Sequence, residues 1–346
     1  MMFYAGLDVG LRTVAICIVD DTGKVRLERT CACEIDLIAA ALREFSGPIE
    51  RIGFEAGTMS QHLFFGLQAC GFEVVCMEAH QVSAALSAIR NKTDKNDARG
   101  IAQLLRSGWY RPVHMKSRAS HNVRALLTSR KTVLRKFIDL ENEIRGLFKV
   151  FGIRLAPSIT HARFDIAVRD LILADDDLAY ALLPMLDARL VLYKTFRELD
   201  KRVKRTANDD PICRRLMTTP GVAQVVALTF KAAVDTPERF SSSRNVGAHF
   251  GLTPRRFQSG ESDNPGRISH AGDPDVREAL YSAAHSLMTR TLAWSALKSW
   301  GTKLMRTKGR RRAVVAVARK LAVILHRMWA DGTDFRWTQA EAAPMS

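Results

Sequence analysis

The hydrophobic runs near the start of the chain, punctuated by polar and glycine positions, predict strands. "MFYAGLDVG" and "TVAICIVDD" are β-rich runs, and "DDTGKV" between strand patterns supplies a hairpin turn. "VRLERTCACEI" reads as a third strand and "DLIAAALREF" as a helix. "IERIGFEAG" is a short apolar strand stopping at Gly57, "SQHLFFGLQACG" a helix ending in Gly71, and "FEVVCMEA" another strand. "TDKNDARGIAQLLRSG" reads as a helix with Thr93 near its N-cap. Three antiparallel strands followed by helix–strand–helix–strand–helix predict a mixed α/β sheet over residues 1–115.

The period then changes. Over 116–208, Val123, Arg130, Phe137, Ile144 and Phe151 occupy one heptad position, and Leu126, Val133, Leu140 and Leu147 the position three residues on. A second seam runs Leu178, Leu182, Met185, Arg189, Leu192, Phe196, Leu199, Val203, with Pro184 predicted to start or kink its helix. One antiparallel hairpin and an intermolecular coiled coil that builds a dimer both fit. The third region, 209–346, opens with "TTPGVAQVVALTF". Its Pro-Gly turn resembles a helix–hairpin–helix element, in which backbone N–H groups approach a DNA phosphate. The segment up to Gly272 is expected to be loop-rich, Asp273 and Pro274 to begin a helix, and the remainder to be basic helix with a polar tail.

Charge adds what periodicity cannot. The formal net charge is +16, from 52 Lys and Arg against 36 Asp and Glu. Such a field attracts polyanions, nucleic acid first. Between Asp97 and Asp139 no acid interrupts a series that includes Arg130 and Lys131, and 301–320 is a second acid-free run holding Arg310, Arg311 and Arg312. Both fit a phosphate backbone, with affinity falling as salt rises. The six cysteines form no CxxC pair and read as reduced thiols of a cytosolic protein. No signal peptide is expected, and the apolar stretch 313–325 is too short and too charged to span a membrane.

"NKTDKNDARG" then raises a question, because Asp94 and Asp97 share one helix face and repel. Dressing of a helix N-terminus is the plainer explanation. Two more acids point elsewhere. Asp8 lies within an apolar strand, where an unpaired charge is costly, and Glu55 ends another. If those strands are neighbours and the helix crosses their ends, four carboxylates converge. An all-oxygen set of that kind suits Mg²⁺ or Mn²⁺ and two-metal phosphodiester chemistry.

Asp8, Glu55, Asp94 and Asp97, with the "KTDKNDARGIA" block, resemble the DEDD tetrad of a RuvC-like, ribonuclease H-fold nuclease. With "GLTPRRFQSGES" and "GRISHAGDPDVREAL", the chain resembles the insertion sequence 110 family of transposases over nearly its full length. The resemblance implies a RuvC-like domain at 1–115, a helical coiled-coil dimerisation region at 116–208 and a mainly α transposase domain at 209–346. It also implies a serine nucleophile in a Ser-Gly element, which maps onto Ser259, although Gln258 stands where many relatives carry a second serine. Tetrad and serine would form a composite site that makes a covalent phosphoserine–DNA intermediate. The implied partners are donor and target DNA, a noncoding guide RNA, and a homodimer that becomes a tetramer in synapsis. The implied location is the cytoplasm, on the nucleoid when DNA is bound.

The residues around Ser259 fit that role. Gly260 leaves room for a phosphate, and Arg255, Arg256 and Arg267 lie near in sequence to bind its oxygens. A serine hydroxyl needs activation, for which His270 is the sequence-local base and the carboxylate-bound metal the alternative. Ser262 and the run Ser241–Ser243 are rival nucleophiles, and His249 reads as a packed residue.

Overall fold

The computed structural model describes residues 1–87, 91–259 and 262–337, the side chains of 256–265 excepted. The chain divides into two compact units, Met1–Lys116 and Ser117–Ser346.

In the first unit, β1 (Phe3–Val9), β2 (Thr13–Asp20) and β3 (Val25–Ala32) form an antiparallel meander. After α1 (Ile35–Arg43), β4 (Ile49–Glu55) pairs parallel to β1. After α2 (Ser60–Ala69), β5 (Val74–Met77) pairs parallel to β4, giving the order β3-β2-β1-β4-β5. This is the ribonuclease H-like arrangement. Two further helices follow, α3 (Ala79–Leu86), which the strand and helix periods did not separate out, and α4 (Asp94–Ser107).

Period-2 alternation sends the two sets of side chains to two cores. Leu7, Ile16, Ile18 and Phe54 pack with Ile38 and Leu42 of α1 and Leu63 and Leu67 of α2. The opposite face carries Ala15, Cys17 and Val19 against Ala98 and Ala102 of α4. Strand β2 is therefore covered on both sides, which is why it reads as a continuous apolar run.

The second unit begins with α5 (Arg118–Val150), α6 (Phe164–Ile172) and α7 (Asp176–Asp209). The two seams meet within the chain. Phe137 packs against Tyr193 and Phe196, Arg130 bonds Asp200 and Arg189 bonds Glu141, so α5 and α7 run antiparallel. Helix α7 runs through Pro184 and does not start there, with Leu182 and Leu186 buried on either side. Next come α8 (Pro211–Met217), α9 (Gln224–Val234) and α10 (Arg244–His249). Gly221, in the Pro-Gly turn, lies against the carbonyl of Ala283, so its missing side chain serves helix packing.

The segment expected to be loop-rich forms a two-stranded ribbon, β6 (Pro254–Ser259) and β7 (Ser262–Ile268). Arginine, Asn, Gln and Gly hide its alternation, since neither face of the ribbon offers an apolar series. Helix α11 (Pro274–Thr289) starts at Asp273, whose carboxylate accepts from the Asp275 amide, with Pro274 in the first turn. Helices α12 (Ala296–Lys308) and α13 (Arg310–Ala330) close the unit, and Val317, Leu321 and Leu325 of α13 lie in its main core. No helix among the described residues is long and apolar enough to cross a membrane.

Candidate active site

The four acids come from three elements of the first unit. The parallel register pairs Gly6 with Gly53 and Leu7 with Phe54, so one step on it brings Asp8 beside Glu55. Gly6 and Asp8 share a strand face, as do Gly53 and Glu55. That face is the one α4 covers. A side chain at Gly6 would collide with the carbonyl of Ala98 and the amide of Ala102, so the helix backbone sits directly on the strand there. Helix α4 is oriented by its C-terminal turn, where Gln103 donates to the Gly23 carbonyl and Arg106 to the Asp21 carbonyl, beside the β2–β3 turn. Its N-terminal turn therefore lies at the opposite end of β1, where Asp8 is. Thr93 caps it by accepting from the Asn96 amide at 3.3 Å.

Electrostatics records the convergence. Burial, then the charges of Asp97, Asp94 and Glu55, push the Asp8 carboxyl up to about 6. Lys92 acts weakly in the opposite direction. Burial is also the main reason why Glu55 is shifted upward; Lys92 opposes that shift, while Asp97 and Glu78 add to it. Asp8, Glu55 and Asp97 are half-buried, and Asp94 is exposed. A cavity of about 70 Å³ opens beside Glu55, lined by Val9, Gly10, Phe54, Gly57 and Ser60 among others. Among the described residues no three His, Cys, Asp or Glu side chains stand close enough to grip an ion as they are. The donors nonetheless fit a hard cation in kind. They are all carboxylates, they destabilise one another when ionised, and a divalent ion drawing them inward removes that repulsion.

Asp20 is a buried acid of the same unit with a different task. Its carboxylate accepts from Thr22, the Lys24 amide and Arg26, which hold it well below the usual carboxylate range. It ties the β2–β3 turn and stands outside the cluster.

In the second unit Ser259 ends β6 and pairs with Ser262 of β7. The side chains of Ser259, Arg256 and Ser262 lie outside the described residues, as does Gly260 altogether. The register also corrects the sequence-local base. Pro254 pairs with Ile268 at the ribbon root, and His270 lies beyond it, at the end away from Ser259. Arg267 is exposed on β7, and Arg255 donates to the Ser269 carbonyl at 3.2 Å.

The root itself is pinned by a residue that sequence reasoning missed. Arg277 Nη1 donates to the carbonyls of Phe250, Ala271 and Gly272. Gly251 and Gly272 both have positive φ and lie against the backbone of Ala271 and His249 respectively, where no other residue fits. An arginine in a helix gives no sign in sequence that three carbonyls of a neighbouring loop converge on it.

Of the other basic residues named from sequence, Arg130 and Lys131 are committed inside the unit. Arg130 pairs with Asp200 and lies over the Phe196 ring, and Lys131 bridges Asp275 and Glu278. Arg310, Arg311 and Arg312 are exposed. Ser243 donates to, or accepts from, His326 Nδ1 at 2.9 Å, with His326 buried. His249 is exposed yet packs edge-on to Phe240 and Phe250.

A family model for DEDD transposases of the IS110 type matches residues 5–152, and one described as the transposase IS116/IS110/IS902 family matches 213–299. The transposase for insertion sequence element IS1111A of Coxiella burnetii is 28% identical over 332 residues, spanning 92% of this chain and 87% of that protein. The transposase for IS1328 of Yersinia enterocolitica is 26% identical over 71% of this chain and 74% of its own length. Among solved structures, Thermus thermophilus RuvC matches along its whole length, covering 32% of this chain at 17% identity and a TM-score of 0.26.

Proposed function

This chain belongs to the IS110 family of transposases, and from that premise we propose that it acts on DNA, cutting and rejoining strands with two chemical centres, one in each unit. The first comprises Asp8, Glu55, Asp94 and Asp97, which would hold Mg²⁺ or Mn²⁺. The second is Ser259. When bound, the divalent ion would supply charge neutralisation at the reacting phosphate and lower the pKa of an attacking hydroxyl. The observation that carries this reading is the Asp8 carboxyl, raised to about 6 by burial and by three neighbouring acids. Carboxylates perturbed by burial and by neighbouring like charges cluster at functional sites.

In the proposed reaction the Ser259 oxygen attacks phosphorus, one ester oxygen departs as a hydroxyl end, and a phosphoserine–DNA ester forms. A hydroxyl end of another strand then attacks that ester and releases Ser259. The phosphodiester is conserved throughout and no free double-strand break arises. Arg255, Arg256 and Arg267 on the ribbon would contact the DNA backbone, Arg255 and Arg267 from its root end. We further propose that a noncoding RNA reads sequence by base pairing, that homodimers assemble into a tetramer in synapsis, and that the net charge of +16 serves those polyanions.

The deciding experiment incubates the protein with Mg²⁺ and DNA and assays for a covalent protein–DNA adduct. Ser259→Ala is expected to abolish it. Persistence of the adduct would overturn the serine assignment, and loss of the adduct with cleavage retained as free 5′-phosphate ends would indicate a metal-only endonuclease. Sequencing nucleic acid that co-purifies with the protein tests the guide RNA.

A further inference from the structure

We propose that the elbow between α12 and α13 is a contact surface for duplex DNA, made by Arg306, Lys308, Arg311 and Arg312. The proposal rests on the reading that the chain acts on DNA, and it assigns a surface that reading leaves open.

Two sets of cations in the second unit contrast. Five on α5, α7 and α9 are matched. Arg124 pairs with Asp273, Arg130 with Asp200, Lys131 with Asp275 and Glu278, Arg189 with Glu141, and Lys231 with Asp210. Those at the elbow are not. Arg306, Lys308, Arg311 and Arg312 are exposed and have no acidic partner among the described residues, while Arg310 reaches only the His285 ring, at 2.9 Å. No acid at all occurs in 279–330, so no small side-chain movement within those helices could supply one.

The placement is also electrostatically unfavourable. A single residue, Gly309 with φ of 80°, joins the two helices, which packs Arg306, Lys308, Arg310, Arg311 and Arg312 into seven positions. Three of them stand in the first turn of the 21-residue α13, at the positive end of its dipole. Like charges crowded at the disfavoured helix end cost stability, and a polyanion removes the cost. Behind them the helices are closely packed. Ala313, Val314 and Val317 are fully or almost fully buried, and Gly301 of α12 lies against Met288 and Val317. The cations are thus presented on the exposed side of a packed helix pair. An exposed arginine cluster suits the phosphates bordering the wide major groove of B-DNA, which side chains enter more readily than the deep, narrow major groove of A-form RNA.

The test measures binding of the full-length protein to a duplex DNA of arbitrary sequence, by fluorescence anisotropy from 50 to 300 mM KCl, with an RNA duplex of equal length alongside. Arg306→Gln/Arg311→Gln/Arg312→Gln is expected to weaken DNA binding about tenfold or more at low salt. It should also reduce the slope of log affinity against log salt by roughly 2 to 3, at about 0.9 for each phosphate that is no longer neutralised. Lys131→Gln, a matched cation, should leave the slope unchanged. The melting temperature confirms that the triple variant is folded, and Arg312→Gln alone, expected to lower the slope by roughly 1, replaces it if it is not. An unchanged slope in the variants overturns the elbow assignment. So does an RNA duplex whose binding depends on the elbow as strongly as, or more strongly than, that of DNA. Absence of salt-dependent DNA binding by the unsubstituted protein would instead count against the proposed function itself.

Discussion

Two groups of charge in this molecule are built on opposite rules. In the second unit Glu141 and Arg189 are both buried. One Glu141 oxygen accepts from Nε and Nη2 of Arg189, the other meets His161 Nδ1 at 2.7 Å, and the guanidinium also donates to the His161 carbonyl. The rings of Phe137, Phe164 and Tyr193 surround it. Every formal charge there has its opposite. In the first unit Asp8, Glu55, Asp94 and Asp97 gather with Lys92 as the cation that opposes the upward shifts of Asp8 and Glu55. A closed pair specifies packing, whereas an open cluster of one sign is poised for something that arrives. Asp20, with its full set of donors, shows that the first unit also builds closed sites where only structure is needed.

The comparison breaks most visibly on activity. Asp8→Asn and Asp97→Asn should each reduce DNA strand cleavage by roughly a thousandfold or more, as expected when one member of a cooperating catalytic set is lost, while circular dichroism stays unchanged. Full activity in either variant would make the open cluster ornamental. Next in size, Arg189→Met leaves Glu141 buried without its partner and should lower unfolding free energy by about 3–5 kcal/mol, read by urea denaturation. Arg189→Met/Glu141→Leu should recover much of that loss. Gly6→Ala drives a methyl group into the α4 backbone, so α4 must shift. A loss of about 1–3 kcal/mol is expected, together with weaker Mn²⁺ binding, because the turn bearing Asp94 and Asp97 moves with the helix. Arg277→Ala should increase hydrogen exchange at 251–272 and slow adduct formation, with Arg277→Lys intermediate.

The smallest effect separates the two charge groups by pH. Because the Asp8 carboxyl is raised in the folded state to about 6, folding favours its protonated form. Its stabilising contribution is full below the unfolded value near 4 and is lost as pH rises through about 6. The melting temperature of the first unit should therefore rise by a few degrees between pH 7.5 and 5. Asp8→Asn should flatten that rise, and Mg²⁺ at pH 7.5 should reproduce part of it in the unsubstituted protein alone. A pH profile identical in Asp8→Asn would show that the cluster carries no net repulsion.

Much of the first unit was legible because its apolar runs are clearly bounded. β1, β2, β4 and β5 are apolar runs, a tight turn leads from β2 into β3, and Thr93 announces α4 with its capping hydroxyl. The α5 and α7 seams were equally plain, but a heptad pattern does not say whether its partner is the same chain, and here α5 packs on α7. The ribbon at 254–268 was missed because its polar residues carry no period, and with it went the position of His270 relative to Ser259.

What the sequence determined by itself is most of the elements of the first unit, the two long helices of the second and the inventory of acids and cations, since periodicity and residue type are local properties. Which charges remain open was decided only in three dimensions. Arg130 and Lys131 looked as free as Arg311 and Arg312 until the fold brought Asp200, Asp275 and Glu278 to them, across 70 to 147 residues of chain. Electrostatic energy depends on distance through space, and distance along the chain does not report it.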